Sequence, residues 1–395
     1  MRRLLFAVVL PIATLPLLAA EETKPNTLTP KEVADGWILL FDGETTFGWK
    51  SDGEVKAADG ALVIGGKEPS LASFTSAFKE FELRFEYRLK SAMALEMRQS
   101  LEKTPKEDYF QFGLPEPDGE RWAELAFTVQ QKKTTIHQRG VKGGDKKQEI
   151  RWLANDNSVH VSFSAGKDNQ GLVRNVRLRP LGTKPLFNGK DLSGWKEHPG
   201  KKSQWSVGAE GTIDVKNGPG DLQTEGQWAD FVLQIECKSN GKHLNSGVFF
   251  RCIAGQYQNG YEAQIHNGFL PEATKEYTIE EYDPETHKLA GSKKAKYAAI
   301  DYGTGGIYRR MPARKQMSKD NEWFTMTVAA QGRHLATWVN GVQVVDWIDN
   351  RPENDNARNG CKLAKGNVSL QGHDPTTDLS FRNIRIAELA AGEKK

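Results

Sequence analysis

LFDGETTFGWK (residues 40–50) and LFNGKDLSGWK (residues 186–196) are the stretches that organise this chain. They share Leu, Phe, Gly, Gly, Trp and Lys at identical spacing, so the chain contains an internal repeat. The two copies also close alike, because VRNVRL (residues 173–178) matches FRNIRI (residues 381–386). A shared opening and a shared ending predict two units of the same fold.

Between these ends, short apolar alternations such as FELRFEYRLKS (81–91) and FVLQIECKSN (231–240) are typical of half-buried strands. Gly and Asn turns are frequent, including a hairpin turn at NG (340–341), and helical periodicity is almost absent. We therefore predict an all-β chain with two tandem antiparallel β-sandwiches, residues 30–181 and 182–390, joined at PLGTKP. Barrels are the alternative, because periodicity does not separate the two architectures.

The opening MRRLLFAVVLPIATLPLLAA (residues 1–20) combines Arg2 and Arg3 with an apolar run that ends in small residues. This pattern predicts a cleaved signal peptide and hence a secreted or periplasmic protein. Pro11 and Pro16 interrupt the run, which is shorter than the ~20 apolar residues of a spanning helix. We expect no membrane association after cleavage.

Composition argues against two classes of protein. The net charge of +3 includes Arg2 and Arg3, so cleavage leaves about +1. The sequence has no long block of like charge, so we expect no nucleic-acid partner. Three cysteines are too few for a disulfide scaffold. Cys237 and Cys252 flank a predicted turn and form either one optional disulfide, with Cys361 left over, or a reduced buried pair.

YEAQIHN (261–267) carries the most informative alternation. On a strand, Glu262, Gln264 and His266 share one face, and the intervening apolar residues share the other. Three polar groups in a row either meet water or form the floor of a binding groove.

The second unit carries an insertion that includes this stretch. Arg98 and Trp122 of the first unit correspond to Arg251 and Trp323 of the second, and 24 positions separate the first pair but 72 separate the second. The 48 additional residues also contain TGGIYRR (304–310). The first unit therefore reads as a reduced, accessory copy and the second as the functional one.

The order of motifs in residues 184–388 resembles the 3-keto-disaccharide hydrolase domain family. These motifs are LFNG and GW, NSGVFFR, GYEAQI, TGGIY, WVNG, LQGH and FRNI. The first unit resembles the family only at its ends, in LFDG, GW and VRNVRL. The resemblance implies a concanavalin A-like jelly roll that binds carbohydrate on its concave sheet and acts on glycosides whose C3 hydroxyl is oxidised to a ketone. His266 stands where the family pattern leads us to expect an acidic residue. No histidine or cysteine pair has a recognised metal-ligand spacing and no oxygen-rich calcium loop is evident, so we expect no metal and no cofactor.

Ordinary glycoside hydrolysis needs two carboxylates that flank the bond. The strand reads E-x-Q-x-H and supplies one, so Glu236 or Asp374 would have to supply the other. Cleavage of a 3-keto sugar needs fewer catalytic groups. The ketone acidifies the hydrogen on C2, so one base removes that proton, donors hold the enolate, and the C1 substituent leaves before water adds.

Our candidate residues follow from this hypothesis. The catalytic candidates are Glu262, His373, Arg251 and Tyr308, and the substrate-binding candidates are Gln264, His266, Asn245 and Gln371. Glu262 or His373 would be the base, with Arg251 and Gln264 as donors to the enolate. The structural alternatives are a bidentate pair between Glu262 and Arg251 and a loop role for His373.

Tyr308 or His266 would protonate the leaving group, although Tyr308 could instead cap the core. Asn245 could shape a turn or reach sugar hydroxyls, and Gln371 would support the site through hydrogen bonds. Trp49 and Trp195 recur at matching positions and are expected to anchor the cores.

Two readings of the second unit remain open, with a third that is weaker. It is an enzyme that cleaves 3-keto-glycosides or 3-keto-disaccharides, or a lectin-like protein that binds carbohydrate without turnover, with a conventional β-glucanase as the weaker reading. An enzyme requires Glu262, His373 and Arg251 to converge. Their mutual geometry therefore distinguishes these readings.

Overall fold

The computed structural model describes residues 24–102, 109–131, 133–150 and 157–390. The predicted signal peptide, residues 1–20, lies outside these ranges and stays a prediction. Within them, none of the helices has the length and apolar character needed to cross a membrane.

A short helix, α1 (Pro30–Ala34), precedes the first sandwich. The strands described in this sandwich are β1 (Ile38–Leu39), β2 (Trp49–Asp52), β3 (Val55–Ala58), β4 (Ala61–Gly65), β5 (Ser70–Phe78), β6 (Phe81–Leu89), β7 (Ala94–Arg98), β8 (Tyr109–Gly113), β9 (Ala123–Gln130), β10 (Lys133–Arg139), β11 (Lys146–Ile150), β12 (Val159–Ala165) and β13 (Gln170–Pro180). Its larger sheet has the order β11-β10-β9-β6-β13-β4-β3, and its smaller sheet has the order β2-β5-β12-β7-β8. All of these pairings are antiparallel.

The second sandwich repeats this plan. Its described strands are β14 (Lys184–Pro185), β15 (Trp195–Glu197), β16 (Gln204–Gly208), β17 (Thr212–Lys216), β18 (Gly220–Thr224), β19 (Phe231–Ser239), β20 (Ser246–Cys252), β21 (Tyr261–Ile265), β22 (Lys275–Tyr282), β23 (Leu289–Tyr297), β24 (Phe324–Gln331), β25 (His334–Val339), β26 (Val342–Ile348), β27 (Asn367–Gly372) and β28 (Asp378–Glu388). The larger sheet is β16-β17-β28-β19-β24-β25-β26, and the smaller sheet is β15-β18-β27-β20-β21. The hairpin β22-β23 stands apart from both. The prediction of an all-β chain with two tandem antiparallel sandwiches is confirmed.

The repeated motifs hold equivalent positions in the two copies. The start of each copy pairs with its end, since β1 pairs with β13 and β14 with β28. The Trp49 indole donates to the carbonyl of Leu40 at 2.6 Å, and the Trp195 indole donates to the carbonyl of Leu186 at 2.8 Å. Both tryptophans are buried, which confirms them as core anchors.

One local expectation is wrong. The segment between Cys237 and Cys252 does not form a hairpin, because β19 lies in the larger sheet and β20 in the smaller sheet of the second sandwich. Cys237, Cys252 and Cys361 are free, buried thiols. Of the two alternatives for Cys237 and Cys252, the structure therefore has the reduced, buried cysteines and not the disulfide.

The two sandwiches pack against each other through the smaller sheet of the first and the larger sheet of the second. Trp338 on β25 is fully buried at this contact, with its ring centroid 6.3 Å from that of Phe74 on β5. Its indole donates to the carbonyl of Leu39 at 3.0 Å. Thr75 donates to Asp346 at 2.8 Å. The outer face of the second sandwich's larger sheet is thus in contact with the first sandwich.

Candidate functional site

Polar side chains form two rows across the smaller sheet of the second sandwich. Alternate residues of the same strands, such as Leu222, Val248 and Ala263, point into the core, which leaves the remaining side chains on the opposite face. The strand register gives the rows Gln223–Ser369–Phe249–Glu262 and Asp221–Gln371–Gly247–Gln264, which we call the polar face. The predicted sharing of a face by Glu262 and Gln264 on β21 is therefore found.

The polar face is covered rather than open to bulk water. Glu262 is 6% exposed and Gln264 is fully buried. Residues 253–260 cover one side, where Gly255 donates to Gln223 at 3.1 Å. Residues 301–313, which we call the site loop, cover the other side, where the Tyr308 amide donates to the Glu262 carbonyl at 2.9 Å. The face therefore lies beneath these two segments and is not a plain solvated surface.

Glu262 lies over the glycine of the neighbouring strand. A Cβ at Gly247 would stand 2.7 Å from Oε1 and 2.8 Å from Cγ of Glu262, so only glycine leaves room for this carboxyl group. Arg358 Nη2 lies 3.4 Å from Oε2. Burial raises the pKa of Glu262 to about 8, the charge of Arg358 opposes the rise, and the charges of Asp301 and Asp221 reinforce it. Glu262 is therefore poised to exchange a proton near neutral pH.

Two more carboxylates accompany Glu262, and neither of them is on β21 or among the candidates taken from the sequence. Asp221 on β18 is buried, and burial raises its pKa to about 6. Asp301 on the site loop accepts hydrogen bonds from Gln264 at 3.1 Å and from Asn245 at 2.8 Å. Both residues come from segments outside β21, and no regular spacing in the sequence links them to Glu262.

The carboxylates that the sequence suggested as a second acid lie elsewhere. Glu236 accepts from Arg382 at 2.7 Å and from Asn383 at 2.7 Å on the larger sheet. Asp374 is held by His373, with Nδ1 and Oδ2 2.8 Å apart. Neither pairs with Glu262.

Three atoms of the polar face are buried and have no hydrogen-bond partner among the described residues. They are Asp221 Oδ1, Ser369 Oγ and Gln371 Oε1. Asp221 is opposite Gln371 in the register, and Ser369 lies two residues before Gln371 on β27. Buried polar atoms of native proteins are nearly always paired. This cluster therefore suits a ligand that is rich in hydroxyl groups.

Arg251 does not meet Glu262. Its guanidinium is fully buried and donates to the carbonyls of Ala229, Gly332 and Lys362 at 2.7–2.8 Å, and it pairs with Asp230 at 3.0 Å. The register of β20 shifts between Phe249 and Cys252, and Arg251 has a φ of 50°. Strict alternation would keep Arg251 on the polar face with Phe249, but this bulge turns it away. Its role is structural.

Arg358 supplies the cation that was expected from Arg251. Its guanidinium lies 5.4 Å from the Phe249 ring, donates through Nε to the Gln258 carbonyl at 2.7 Å and reaches Glu262 through Nη2. The Gln258 amide donates in turn to Asp221 at 2.6 Å. Arg358 lies in a loop without periodicity, and no sequence signal singled it out.

His373 is placed at the far end of the same sheet. It is four residues beyond Ser369, which lies two strands from Glu262, so strand geometry separates the two Cα atoms by roughly 16 Å. His373 is bonded to Asp374, and no described contact joins it to Glu262. Glu262, His373 and Arg251 therefore do not converge, and the geometry that was required of an enzyme built from these three residues is not found. An enzymatic reading needs Arg358 in place of Arg251 and a role for Glu262 without His373.

His266 lies at that far end too, one residue after the end of the edge strand β21. Its Nδ1 accepts from the Gly268 amide at 3.2 Å, and its ring stacks on His243 at 6.1 Å. Burial lowers the pKa of His266, and the neighbouring His243 lowers it further. A neutral ring with the proton on Nε2 follows.

The side-chain amide of Gln264 already has hydrogen-bond partners inside the protein. Its Nε2 donates to the carbonyl and the carboxylate of Asp301 at 3.0 and 3.1 Å.

Aromatic residues flank the polar face on both sides. On the site loop, Tyr308 packs edge to face on Tyr302 at 5.2 Å and carries the Arg309 guanidinium at 5.4 Å from its ring. Arg309 also lines a neighbouring cavity of about 450 Å³ beside β22-β23. On the opposite side, Lys201 Nζ lies 3.6 Å from the ring centroid of Tyr257. Sequence reasoning missed Tyr257, whose loop carries no repeated motif.

Metal ligation finds no support in the part of the chain that the structure describes. No group of three or more His, Cys, Asp or Glu side chains in that part is arranged to hold a metal ion.

Comparisons with known proteins relate both copies to one family. The profile of the 3-keto-alpha-glucoside-1,2-lyase-like domain matches residues 36–165 and 182–387. No curated protein matches the chain.

Solved structures with similar folds include a candidate glycosyl hydrolase from Parabacteroides distasonis, with 22% identity over 53% of this chain and 94% of that one at a TM-score of 0.40. The carbohydrate-binding module CBM66 from Bacillus subtilis shares 15% identity over 48% of this chain and 93% of its own, with a TM-score of 0.30. Lectin I-B4 from Griffonia simplicifolia shares 12% identity over 33% of this chain and 92% of its own, with a TM-score of 0.28.

Proposed function

The chain belongs to the family of 3-keto-alpha-glucoside-1,2-lyase-like domains and is thus a carbohydrate-active protein, and on this premise we propose that its second sandwich cleaves the glycosidic bond of 3-keto-glycosides or 3-keto-disaccharides. Export of the chain is part of the proposal and rests on the signal predicted in residues 1–20. The observation that carries the proposal is the placement of Glu262, which is buried over Gly247 beside Arg358 and has a pKa raised by burial to about 8.

The first step is removal of the hydrogen on C2. The C3 ketone withdraws electrons, so the C2–H bond is acidic, and the Glu262 carboxylate takes the proton. The electron pair moves onto the ketone oxygen as an enolate. Arg358 is the nearest cation to Glu262 and stabilises this developing charge. A base with a raised pKa suits this weakly acidic proton.

The second step is departure of the C1 substituent. The enolate re-forms the ketone as a double bond forms between C1 and C2 and the C1–O bond breaks. The leaving oxygen takes a proton from Tyr308, which flanks Glu262 on the site loop. Water then adds across the double bond: its oxygen bonds to C1 as it gives a proton to Tyr308, and Glu262 returns its proton to C2, which yields the free 3-keto sugar. The net reaction is hydrolysis, with one water consumed and both catalytic groups restored.

The unpartnered polar atoms of the floor bind the sugar itself. Asp221 Oδ1 and Gln371 Oε1 accept hydrogen bonds from sugar hydroxyls, and Ser369 Oγ donates or accepts. Each would satisfy a buried group that otherwise costs about 1–3 kcal/mol to leave unpaired. Asn245, His266 and His373 lie at the far end of the floor and would contact a longer substrate.

Ordinary glycoside hydrolysis is a second candidate, and the presence of Asp221 and Asp301 near Glu262 favours it. In this reading Glu262 is the protonated general acid, since its pKa is raised to about 8, and one of the aspartates is the base or nucleophile. The two candidates differ in the protonation state of Glu262. They therefore predict opposite pH dependence.

Substrate selectivity tests the proposal directly. The purified protein is incubated with 3-keto-trehalose or a 3-keto-glucoside and, separately, with the unoxidised parent sugar. Release of 3-keto-glucose from the oxidised substrate alone supports the proposal, and cleavage of the parent sugar supports the second candidate. Binding to either sugar without turnover would instead make this a lectin-like protein. Glu262→Gln, which preserves shape and removes the base, should abolish turnover, and Glu96→Gln in the first sandwich is the matched control.

A further inference from the structure

The start motif meets different surroundings in the two copies. In the second copy, Asn188 and Asp191 lie exposed at the surface. In the first copy, Asp42 occupies the position of Asn188, and its side chain is 8% exposed against the second sandwich. Asp42 Oδ2 lies 2.9 Å from Nη2 of Arg314. The turn that faces solvent in the second copy therefore contacts the second sandwich in the first copy.

Three residues of this turn contact two consecutive cationic residues of the second sandwich, Arg314 and Lys315. Lys315 Nζ lies 2.6 Å from Glu44 and 3.5 Å from Asp42. The Arg314 guanidinium lies 4.2 Å from the Phe47 ring centroid, and its Nε donates to the Gln343 carbonyl at 2.9 Å. We call Asp42, Glu44, Phe47, Arg314 and Lys315 the clamp. Phe47 corresponds to Ser193 in the other copy, so the second motif has no aromatic ring at this position to stack on a cation.

The clamp holds the end of the site loop. Arg314 directly follows Ala313, whose amide donates to the carbonyl of Tyr302 at 2.8 Å. Tyr302 is adjacent to Asp301, the carboxylate that accepts from Gln264. Asp301 and Tyr302 have φ values of 48° and 69°, which are unfavourable for residues other than glycine. Such backbone persists only where surrounding contacts fix it, and Ala313 provides one of these contacts.

We propose that the first sandwich contributes to catalysis through Asp42, a positioning residue that fixes the site loop by holding Arg314. This inference rests on the function proposed above and assigns a role to the reduced copy. The loop carries Asp301, Tyr308 and Arg309 beside Glu262. Loosening its end displaces groups that must stand within about 1 Å of their productive positions.

Asp42 keeps its charge over the whole range of ordinary assays. Burial acts to raise the pKa of Asp42, but the amides of Thr45 and Glu44 and the charge of Arg314 lower it to about 2. Asp42 therefore does not titrate above about pH 4. Since Arg314 is only 16% exposed, salt screens this pair less than a surface pair.

Asp42→Asn is the decisive variant. Asn keeps the oxygen that accepts from the amides of Glu44 and Thr45, and the second copy builds the same turn with Asn188. The substitution removes the ion pair with Arg314 and the weaker one with Lys315, and it replaces the oxygen that accepts from the Thr45 hydroxyl. Asp191→Asn is the matched control, because Asp191 also has a pKa lowered to about 2 within the equivalent turn but is exposed.

The experiment uses the full chain and two readouts. The first is kcat and KM on a 3-keto-glucoside, and the second is the rate of tryptic cleavage after Arg309 and Arg310 under native conditions. We expect Asp42→Asn to lower kcat about tenfold with KM within about threefold, and to speed cleavage by a similar factor. Asp191→Asn should change neither. In a double-mutant cycle, Asp42→Asn and Arg314→Gln should be less than additive, because both remove the same ion pair, whereas Arg314→Gln also removes the contacts with Phe47 and the Gln343 carbonyl.

Wild-type kcat in Asp42→Asn overturns the proposal, whether or not loop cleavage becomes faster. So does an equal effect of Asp191→Asn. If the wild-type protein turns over no 3-keto-glycoside, the proposed function fails by itself. The cleavage rates then decide whether the clamp holds the site loop, and unchanged cleavage in Asp42→Asn rejects that as well.

Discussion

Gly247 and Glu262 lie on neighbouring strands, and the absence of a side chain at Gly247 creates the space that the Glu262 carboxyl group occupies. A Cβ at this position would lie 2.7 Å from Oε1 and 2.8 Å from Cγ, which is closer than Cβ atoms approach other groups in proteins. The position of the carboxylate is thus set by a glycine on another strand. This relationship gives the first test of the site.

Gly247→Ala should displace Glu262 with little effect on folding. Gly247 does not have a positive φ, so alanine is compatible with its backbone. We expect kcat/KM on a 3-keto-glucoside to fall by about 10²-fold, because the carboxyl group must move by about 1 Å. Gly113→Ala on β8 is the control, since a Cβ there would have no atom within 4 Å. Equal activity of the two variants would contradict the assignment of Glu262.

The pH profile should identify the role of Glu262. A base must be deprotonated, so kcat/KM rises with pH up to a plateau above about 8 if Glu262 removes the C2 proton. If Glu262 is a general acid, kcat/KM falls through the same pH. The measurement is kcat/KM between pH 5 and 10 on 3-keto and parent sugars. A profile that is flat around pH 8 would remove Glu262 from both mechanisms.

Stability should also respond to the ionisation of Glu262. Its pKa is about 8 in the folded protein against 4.5 as the reference value, so the contribution is complete below about 4.5 and is lost as pH rises towards 8. The loss is on the order of 1.4 kcal/mol per pH unit, with an upper limit of about 5 kcal/mol. Glu262→Gln cannot ionise. Denaturant unfolding should therefore show this variant equal to wild type near pH 4.5 and more stable at pH 9, and a constant difference would contradict the shifted pKa.

Arg251 and Arg358 should give opposite phenotypes. Arg251→Met leaves the carbonyls of Ala229, Gly332 and Lys362 without this donor inside the protein, so we expect a loss of about 3–5 kcal/mol in the free energy of unfolding. Arg358→Met should fold, because Arg358 is partly exposed, but should lose most of its turnover. Thermal unfolding and kcat measured on both variants make the comparison. A stable, inactive Arg251→Met would restore the role first expected for Arg251.

All three thiols should be free and unreactive in the native state. Burial raises the pKa of Cys237 and Cys252 well above the usual value, and a buried thiol reacts slowly. Alkylation without reductant should add no group to the native protein and three groups after denaturation. Mass spectrometry counts the groups. Only one group after denaturation would indicate a disulfide.

The sequence by itself determined the repeat, the sandwich class and the two faces of β21. These features are local, because alternation with a period of two and turn residues act over a few neighbours. The indoles of Trp49 and Trp195 illustrate this, since each bonds a carbonyl nine residues earlier in the same motif.

Only the tertiary structure decided which charged groups surround Glu262. Asp221, Asp301 and Arg358 lie on separate segments, and no periodicity relates segments that meet through sheet register and loop packing. The bulge in β20 decided against Arg251, because one shift of register reverses the face of every later side chain. His373 is far from Glu262 because it lies further along β27, and the sequence does not give the strand pairing that sets this distance. Strand alternation fixes the direction of a side chain, but the distance between two side chains depends on how the strands are paired.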